Sequence, residues 1–475
     1  MKSNRRNFLK FTGLAGIGLT GGGLLKSFAA TPGDRLPENI RRPHKQRFNM
    51  CGHAAPKLNT VRVGFVGLGQ RGPGHLMNMT RLEGVEIKAV CDIRPEYANR
   101  AKSRVQSLGH NPDVYTGDKD AWKKMCDRND IDIIYIATPW ALHTPICIYA
   151  MEHGKHAFTE VPAALTIDEC WQLVETSERT RKHCMMLENC CYGFFEQLTL
   201  NMTRQGYFGE IIHGEGAYNH NLLHLNFDKN GYWEMWRLKE NMHRNGNLYP
   251  THGLGPICQI MNINRGDQME YLTSMSGIDF MMREKADELA AKDDFFKPFA
   301  GKTYRGNANT SCIRTHKGRT IMVQHDVTSP NVYSRIHRVV GTKGTALQYP
   351  LEGRISNGGE DWLKDEEMKA VEEKYQPPIV RKVGELAKKV GGHGGMDFLM
   401  DWRVIDCLRN GLPLDQDVYD AALWSCISPL SEWSVANRSK PIDVPDFTAG
   451  SWAANKPVDI LLEQGGNTQV KHTER

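Results

Sequence analysis

Short apolar runs alternate with longer segments of helical periodicity over the first part of the chain. These runs are rich in β-branched residues, which favours buried strands, and the segments between them favour amphipathic helices. Strands are predicted at 61–66, 86–91, 131–137, 156–159 and 183–189, and helices at 72–82, 94–108, 143–153 and 166–180. Continuous apolar strands joined by helices are typical of a doubly wound parallel sheet, in which ligands bind at the carboxyl ends of the strands.

The pattern changes after about residue 192, where polar and apolar positions alternate. Antiparallel strands are predicted at 211–218, 268–278, 310–316, 320–327 and 335–341, with helices at 196–205, 397–410 and 419–436. The Trp- and Met-rich segment 231–247 is predicted to be a pocket-lining loop, and the charged segment 364–389 a solvated helical face. The fold class is therefore α/β: an N-terminal Rossmann doubly wound parallel sheet, then a C-terminal α+β domain with a mainly antiparallel open sheet.

A glycine-rich turn joins the first predicted strand to the first predicted helix. Gly67, Gly69 and Gly72 form a G-x-G-x-x-G pattern there, and Asp92 follows the second strand. The glycines permit a tight turn and a close approach to a pyrophosphate, which rests on the helix N-terminus. A carboxylate in the position of Asp92 binds ribose hydroxyls and repels a 2′-phosphate, so this layout predicts NAD rather than NADP.

The start of the chain resembles a twin-arginine export signal. Arg5 and Arg6 precede a Gly-rich apolar segment, 11–25, and the small residues at 27–30 offer a cleavage site. The segment is too short and too broken by glycine for a permanent membrane span. We therefore expect a periplasmic or extracellular protein that uses the Tat machinery and has no membrane span when mature.

Export and cofactor binding together constrain the chemistry. An exported protein finds little free NAD outside the cytoplasm, so it must hold its cofactor tightly and regenerate it within each turnover.

The chain has 60 basic and 55 acidic residues, and five of the basic ones lie in 1–30 beside no acid. The balanced remainder gives no electrostatic reason to expect a nucleic-acid partner. The twelve cysteines include no C-x-x-C pair and no metal-site spacing, so no metal is expected and most thiols should be free and buried.

The motifs at the strand ends resemble a known family. The two-domain plan is similar to that of the Gfo/Idh/MocA oxidoreductases, but Val161 in Glu160-Val161-Pro162 replaces the lysine of their Glu-Lys-Pro. The closer resemblance is to glycoside hydrolase family 109, and it covers most of residues 59–446. It rests on G-L-G-Q-R-G, A-T-P-W-A-L-H-T-P, T-E-V-P, L-E-N-C-C-Y-G, E-G-A-Y, N-L-Y-P-T-H-G and G-G-H-G-G-M-D.

This resemblance implies an exported, NAD-dependent α-N-acetylgalactosaminidase that acts on glycans with a terminal N-acetylhexosamine. The sugar is oxidised at C3, the acidified C2 proton is removed and the glycosidic oxygen is eliminated. Water then adds at C1, and C3 is reduced again, so there is no net redox change. Such a route needs proton shuttles rather than the two flanking carboxylates of an ordinary glycosidase.

The resemblance also implies the site residues. His252 and Tyr249 are the predicted catalytic pair, since an imidazole with an ordinary pKa near ~6.5 suits proton transfer at neutral pH. The predicted NAD contacts are Gly67, Gly69, Gln70, Arg71, Gly72, Asp92, Trp140, His143, Glu160, Val161 and Asn189. The predicted substrate contacts are Tyr218, Arg237, Tyr249, Pro250, Thr251, His252 and Tyr333. His393 and Asp397 belong to the shared motifs without an assigned role.

The predicted division of the chain is a signal at 1–30, an arm at 31–58, an NAD-binding Rossmann domain at 59–191, a substrate-binding domain at 192–446 and a tail at 447–475. Two alternatives stay open. One is an exported sugar oxidoreductase with tightly bound NAD, and the other is a non-catalytic sugar- or NAD-binding protein. The sequence leaves open the hexosamine, the aglycone, the residue that removes the C2 proton and whether the protein forms a homo-oligomer.

Overall fold

A computed structural model describes residues 40–457 and 459–471 of the chain. The predicted export signal at 1–30 lies outside these residues. Six strands build the first sheet: β1 (Val61–Val66), β2 (Val85–Cys91), β3 (Asp113–Tyr115), β4 (Ile133–Ile136), β5 (His156–Thr159) and β6 (Cys184–Met186). Five helices connect them: α1 (Gly72–Thr80), α2 (Pro95–Gln106), α3 (Ala121–Cys126), α4 (His143–Glu152) and α5 (Ile167–Thr180).

The first sheet is parallel throughout and has the order β3-β2-β1-β4-β5-β6. This confirms the predicted Rossmann sheet. Its central strands are buried on both faces, as their continuous apolar runs require. The sequence pattern missed β3 and α3 because a three-residue edge strand and a six-residue helix are too short to show a period.

The rest of the chain adds a second sheet and nine helices among the described residues. The strands are β7 (Ile211–Asn219), β8 (Met269–Ser276), β9 (Asn309–Thr315), β10 (Thr320–Asp326), β11 (His337–Gly341), β12 (Thr345–Gln348), β13 (Arg354–Ser356) and β14 (Ile442–Asp443). The helices are α6 (Phe194–Arg204), α7 (Leu223–Asn226), α8 (Trp236–His243), α9 (Thr251–Met261), α10 (Met282–Ala290), α11 (Asp365–Tyr375), α12 (Pro378–Val390), α13 (Met396–Asn410) and α14 (Val418–Ala436).

The second sheet has the order β13-β12-β11-β7-β10-β9-β8-β14. Only the pairing of β7 with β10 is parallel within this sheet, so the prediction of a mainly antiparallel sheet is confirmed. One local prediction was wrong: the segment 231–247 lines the cavity as predicted but is not all loop, because it contains α8. The segment 364–389 is helical as predicted but forms two helices, because Pro377 and Pro378 interrupt the pattern.

The late helices join the two sheets. α13 packs against α1 and β1 of the first half, and α14 packs against α5 and β6 as well as β8. They are buried around almost their whole circumference, which requires neighbours on both sides.

The described parts of the predicted arm and tail are also packed against the body. Gln46 donates a hydrogen bond to the Tyr419 hydroxyl at 2.7 Å, and Val470 bridges to Leu82. All twelve cysteines are free, and ten of them are buried. Among the described residues, no helix is both long and apolar enough to cross a bilayer.

Candidate active site

A cavity of about 890 Å³ opens at the carboxyl edge of the first sheet, between the two halves of the molecule. All of the predicted NAD contacts except Gly72 line it. The predicted substrate contacts that line it are Tyr218, Arg237, Tyr249 and His252. The fold thus brings ten predicted NAD contacts and four predicted substrate contacts to one cavity, although they are spread over much of the sequence.

The turn between β1 and α1 has room for a phosphate group and for no side chain. Gly67 has a φ of +88°, and a Cβ there would collide with the backbone at Ala137. A Cβ at Gly72 would collide with the carbonyl oxygen of Gly67. No side chain caps the N-terminus of α1, so this end of the helix stays open to an anion. These features fit a dinucleotide.

Asp92 fixes the turn from the end of β2. One carboxylate oxygen accepts a hydrogen bond from the backbone N–H of Leu68 at 2.7 Å, and the other accepts one from the backbone N–H of Arg94 at 3.0 Å. A carboxylate oxygen has more than one lone pair, so each retains capacity for a ribose hydroxyl. The Arg94 guanidinium stacks 3.5 Å from the Tyr97 ring and 5.2 Å from the ring of Trp233, which belongs to the second half.

His143 lies between two strand-end loops. Its ring nitrogens lie 2.7 Å from the carbonyl oxygen of Pro162 and 2.9 Å from that of Thr138. Burial lowers the pKa of His143, and the ring is almost completely enclosed. The neutral imidazole can donate to one of these two carbonyls, and its ring lies between the two loops at the cavity wall.

Arg71 is the centre of an ion-pair network at the floor of the cavity. It donates to Glu160 at 3.1 Å and to Asp397 at 3.0 Å, while one third of its side chain stays exposed. Asn189 donates to the other oxygen of Asp397 at 2.6 Å. Burial alone would raise the pKa of Asp397, but hydrogen bonding by His393 and the charge of Arg71 hold it well below its usual range. His393 and Asp397 therefore have a structural partner in Arg71.

His75, which the sequence pattern did not single out, extends this network into the core. Its two ring nitrogens lie 3.0 Å from Glu160 and 2.8 Å from Asp401. Burial lowers the pKa of His75, but the two carboxylates outweigh burial and raise it to about 10. Burial raises the pKa of Glu160, and Arg71 and His75 bring it down to about 2. Both groups are charged at neutral pH.

The predicted catalytic residues form a compact cluster. The ring centroids of Tyr249 and His252 are 4.8 Å apart, and that of Tyr218 lies 4.8 Å from Tyr249 and 5.0 Å from His252. His252 Nδ1 lies 2.7 Å from a carboxylate oxygen of Glu188, which is fully buried. Burial alone would raise the pKa of Glu188, but His252 holds it below its ordinary value. Glu188 is thus an anion that orients the imidazole.

Two glycines explain how the cluster assembles. Gly216 in β7 and Gly253 in α9 face each other so closely that a Cβ on either would collide with the backbone of the other element. The helix therefore lies directly on the strand at this point. That contact brings His252, the residue before Gly253, next to Tyr218, which lies two residues after Gly216.

Arg237 lines the cavity next to Tyr249. Its guanidinium donates to the Tyr232 hydroxyl at 2.8 Å and lies 5.3 Å from the Trp140 ring and 5.1 Å from the Tyr249 ring. Trp140 also packs edge-on against Trp236 at 5.0 Å. Aromatic faces with a few polar groups are what a saccharide pocket requires.

Three predicted substrate contacts lie behind the cavity wall. Pro250 precedes α9, and Thr251 is the fully buried first residue of that helix. Tyr333 packs edge-on against the ring of His220 at 4.9 Å and lies 6.5 Å from Tyr218. None of the three lines the cavity in this structure, so their contact with substrate remains a prediction.

Sequence reasoning missed Glu188 and His220 as site residues. Glu188 stood in the L-E-N-C-C-Y-G motif, but the predicted strand ran through it to residue 189. The strand ends at Met186, and a 3-10 turn at Asn189–Tyr192 follows. Cys190 lies with Glu188 and His252 in the one described group that could hold a metal ion, but its thiol has a pKa raised well above the ordinary value by burial. The carboxylate–imidazole pair is better suited to proton transfer.

Comparison with known proteins agrees with this geometry. Residues 61–188 match the family described as "Oxidoreductase family, NAD-binding Rossmann fold", and residues 192–454 match "Glycosyl hydrolase 109, C-terminal domain". A glycosyl hydrolase family 109 protein of Shewanella pealeana is 47% identical over 97% of this chain and 100% of the relative. One from Bacteroides fragilis is 45% identical over 93% of this chain and 96% of the relative.

Solved structures share the fold at low sequence identity. Levoglucosan dehydrogenase in complex with NADH and levoglucosan superposes with a TM-score of 0.62 at 18% identity, and covers 82% of this chain and 100% of that one. Aldose–aldose oxidoreductase from Caulobacter crescentus, complexed with glycerol, gives 0.58 at 16% identity, over 81% of this chain and 100% of that one.

Fold and cleft together define an enzyme with an NAD-binding Rossmann domain of the Gfo/Idh/MocA type and a second, sheet-containing domain. The motifs of the second half narrow this class. The chain belongs to glycosyl hydrolase family 109.

Proposed function

We propose that this protein removes terminal α-linked N-acetylgalactosamine by an NAD-dependent cycle of oxidation, elimination, addition and reduction with no net redox change. One observation carries the proposal. A single cavity joins a dinucleotide turn to a buried Glu188–His252 pair, in a chain whose family is glycosyl hydrolase family 109. A complete dinucleotide turn in a hydrolase supports a mechanism that includes hydride transfer.

The cofactor is proposed to lie along the edge of the first sheet. The turn at Gly67–Gly72 and the N-terminus of α1 would hold the pyrophosphate, Asp92 the ribose, and Trp140 and Val161 the walls around the ring. When bound, NAD supplies a reversible hydride acceptor for a sugar carbon. Val161 replaces the lysine of the related dehydrogenases, so proton transfer falls to other side chains.

His252 is the proposed acid–base. Glu188 engages Nδ1, which leaves Nε2 of the same ring for the substrate, and His252 lines the cavity. The ring centroids of Tyr249 and Tyr218 lie 4.8 and 5.0 Å from that of His252. Their hydroxyls can carry a proton between the imidazole and a sugar hydroxyl. Burial raises the pKa of both phenols, so both are protonated at neutral pH and donate hydrogen bonds.

A strap from the second half supports the proposal that NAD is held tightly. We define the strap as residues 231–236. Gln70 of the glycine turn donates to the Gly231 carbonyl at 2.8 Å, and Trp233 and Trp236 pack on Arg94 and Trp140. These contacts span the mouth of the dinucleotide cleft. A retained and recycled cofactor is what an enzyme exported by the twin-arginine route to the periplasm or beyond would need.

The test uses purified protein with no added cofactor and p-nitrophenyl α-N-acetylgalactosaminide in D₂O. We expect nitrophenol release, with deuterium at C2 of the released sugar. Release without deuterium would leave a hydrolase but exclude a C2 base that exchanges with solvent. No release across a panel of α- and β-glycosides would overturn the proposal and favour an exported sugar oxidoreductase, which would instead oxidise one sugar and reduce a second substrate.

A further inference from the structure

Arg237 differs from the other arginines of the cavity wall in having no anionic partner. Arg71 is paired with Glu160 and Asp397, and Arg94 with Asp92. Arg237 has neutral partners among the described residues: the Tyr232 hydroxyl, the Tyr218 hydroxyl and the rings of Trp140, Tyr232 and Tyr249. It is 8% exposed and lines the cavity.

A buried cation without a counter-ion is costly, and proteins pair such charges or place them where an anion will come. Burial alone would lower the pKa of Arg237, but the phenols of Tyr232, Tyr218 and Tyr249 raise it above its ordinary value, so it stays charged. A second buried cation, Arg305, lies close enough that Arg237 lowers its pKa; burial is the larger cause. Asp326 offsets the charge of Arg305 in part, because it acts on the pKa of Arg305 in the opposite direction, whereas no salt bridge joins Arg237 to a carboxylate among the described residues.

The charge of Arg237 also affects two neighbouring histidines, His220 and His325. Burial is the main reason that the pKa values of His220 and His325 are lowered, and the charge of Arg237 lowers both further. His325 stacks parallel to Tyr218 with ring centroids 6.3 Å apart. The anion nearest the proposed acid–base is Glu188, which lies behind His252 and is bonded to it rather than to Arg237.

We propose that Arg237 is a catalytic residue that binds the oxyanion formed at C3 when the 3-keto sugar loses its C2 proton. The inference rests on the proposed function. In this step the C2–H bond breaks and the proton goes to the base of the cluster. The electron pair forms C2=C3 and leaves its charge on the C3 oxygen, which the guanidinium of Arg237 would bind.

Collapse of that oxyanion completes the elimination. The C3 carbonyl re-forms, the double bond shifts to C1=C2, and the bond from C1 to the glycosidic oxygen breaks with its electron pair on the departing oxygen. A fixed charge placed where negative charge develops is commonly the largest single contribution to catalysis. The base and the oxyanion site would therefore flank Tyr249, with Glu188–His252 on one side and Arg237 on the other.

The test compares kinetic isotope effects in Arg237→Met, Arg237→Lys and the control Lys239→Met, which removes a cation from the exposed side of the same helix. The substrate is p-nitrophenyl α-N-acetylgalactosaminide with deuterium at C2 or at C3. We expect Arg237→Met to lower kcat by about 10²–10³-fold, to raise the C2 isotope effect and to bring the C3 isotope effect towards unity. Arg237→Lys should recover part of the rate, and Lys239→Met should behave as wild type.

Other results would contradict either the role of Arg237 or the proposed function. If Arg237→Met raises only KM, or lowers kcat with both isotope effects unchanged, Arg237 merely holds the substrate and the inference is wrong. If Arg237→Met does not fold, Arg237→Lys carries the test, with a smaller rise of the C2 effect expected. If the wild-type enzyme shows neither a C2 isotope effect nor C2 exchange, the proposed function itself fails, and that result is distinct from any result on the variants.

Discussion

The reacting groups of this site depend on single long-range contacts between side chains. His252 is oriented by Glu188, which lies 64 positions earlier in the chain. The glycine turn depends equally on single atoms, because two of its glycines have no space for a Cβ. Both cases make predictions that one substitution can test.

The first prediction concerns the acid–base pair. His252→Asn should lower kcat on the p-nitrophenyl glycoside by about 10²–10⁴-fold, because proton transfer is lost while the cavity is kept. Glu188→Gln should cause a smaller loss, since the imidazole remains but loses its anionic partner. Steady-state kinetics measure both, with NAD content checked for each protein. His224→Asn, at an exposed position, is the control. Full activity in His252→Asn would refute the assignment.

The second prediction concerns the turn before α1. Gly72→Ala should abolish NAD retention, because the added Cβ would collide with the Gly67 carbonyl. Gly74→Ala, two residues later in the same helix, meets no atom within 4 Å and should be neutral or stabilise by up to about 1 kcal/mol through helix propensity. NAD content after gel filtration and thermal melts distinguish the pair. Equal retention in both variants would show that the turn does not hold the cofactor.

At the scale of elements, the strap at 231–236 closes the cleft by contacts between the two halves. Its residues Glu234 and Met235 have φ values of +51° and +57°, which non-glycine residues seldom adopt. Met235 is anchored in a small separate core with Phe227, Leu238 and Phe296. A segment held in this conformation by its own core is suited to keep a fixed position over the cofactor.

The third prediction follows from this arrangement. Trp233→Ala should speed the release of NAD, because the ring that packs on Arg94 from across the cleft is removed. The dissociation rate is measured after dilution into an NAD scavenger. Trp362→Ala removes another partly exposed tryptophan outside the cavity and should have no effect. If both variants release NAD at the wild-type rate, the strap does not retain the cofactor.

The Arg71 network joins three elements, since His75 in α1 reaches both Glu160 after β5 and Asp401 in α13. This arrangement makes a fourth prediction, on the pH dependence of stability. The pKa of His75 is raised from 6.5 to about 10 in the folded protein. Its stabilising contribution is therefore complete below pH 6.5 and is lost as the pH rises towards 10.

The measurement is the difference in free energy of unfolding between wild type and His75→Gln. This difference should be largest at pH 6 and should shrink as the pH rises to 10, because other groups titrate equally in both proteins. His224→Gln should show no such trend. A difference that stays constant from pH 6 to pH 10 would mean that His75 is neutral in the folded state.

At the scale of the whole molecule, two halves that meet at one cleft must be folded together before the cofactor is enclosed. The fifth prediction is that the Arg5→Lys, Arg6→Lys double variant stays in the cytoplasm with NAD bound, because the twin-arginine route recognises the arginine pair. Cell fractionation with NAD analysis measures this. Lys26→Gln, outside the motif, should be exported normally. Normal export of the double variant would refute the assigned signal.

Much of the fold and part of the site could be predicted from sequence. The central strands of the first sheet were predictable because they are apolar runs and the glycine turn marks the start of its first helix, whereas the short edge strand β3 was not. The α9 helix, which carries His252, was not predicted. It contains two glycines and Pro256, whose low helix propensity is outweighed by packing on β7. The two sides of that contact lie in separate motifs, E-G-A-Y and T-H-G.

The sequence by itself determined the chemistry that is encoded locally: a dinucleotide turn followed by an acid, the replacement of a lysine by Val161, and a histidine in Y-P-T-H. These signals lie within one strand–turn–helix unit or one motif, where spacing fixes geometry. Only the tertiary structure decided that Glu188 orients His252, that Asp397 holds Arg71 from 326 residues away, and that Arg237 has no counter-ion among the residues the structure describes. Such pairings arise from the packing of distant elements, and no local spacing encodes them.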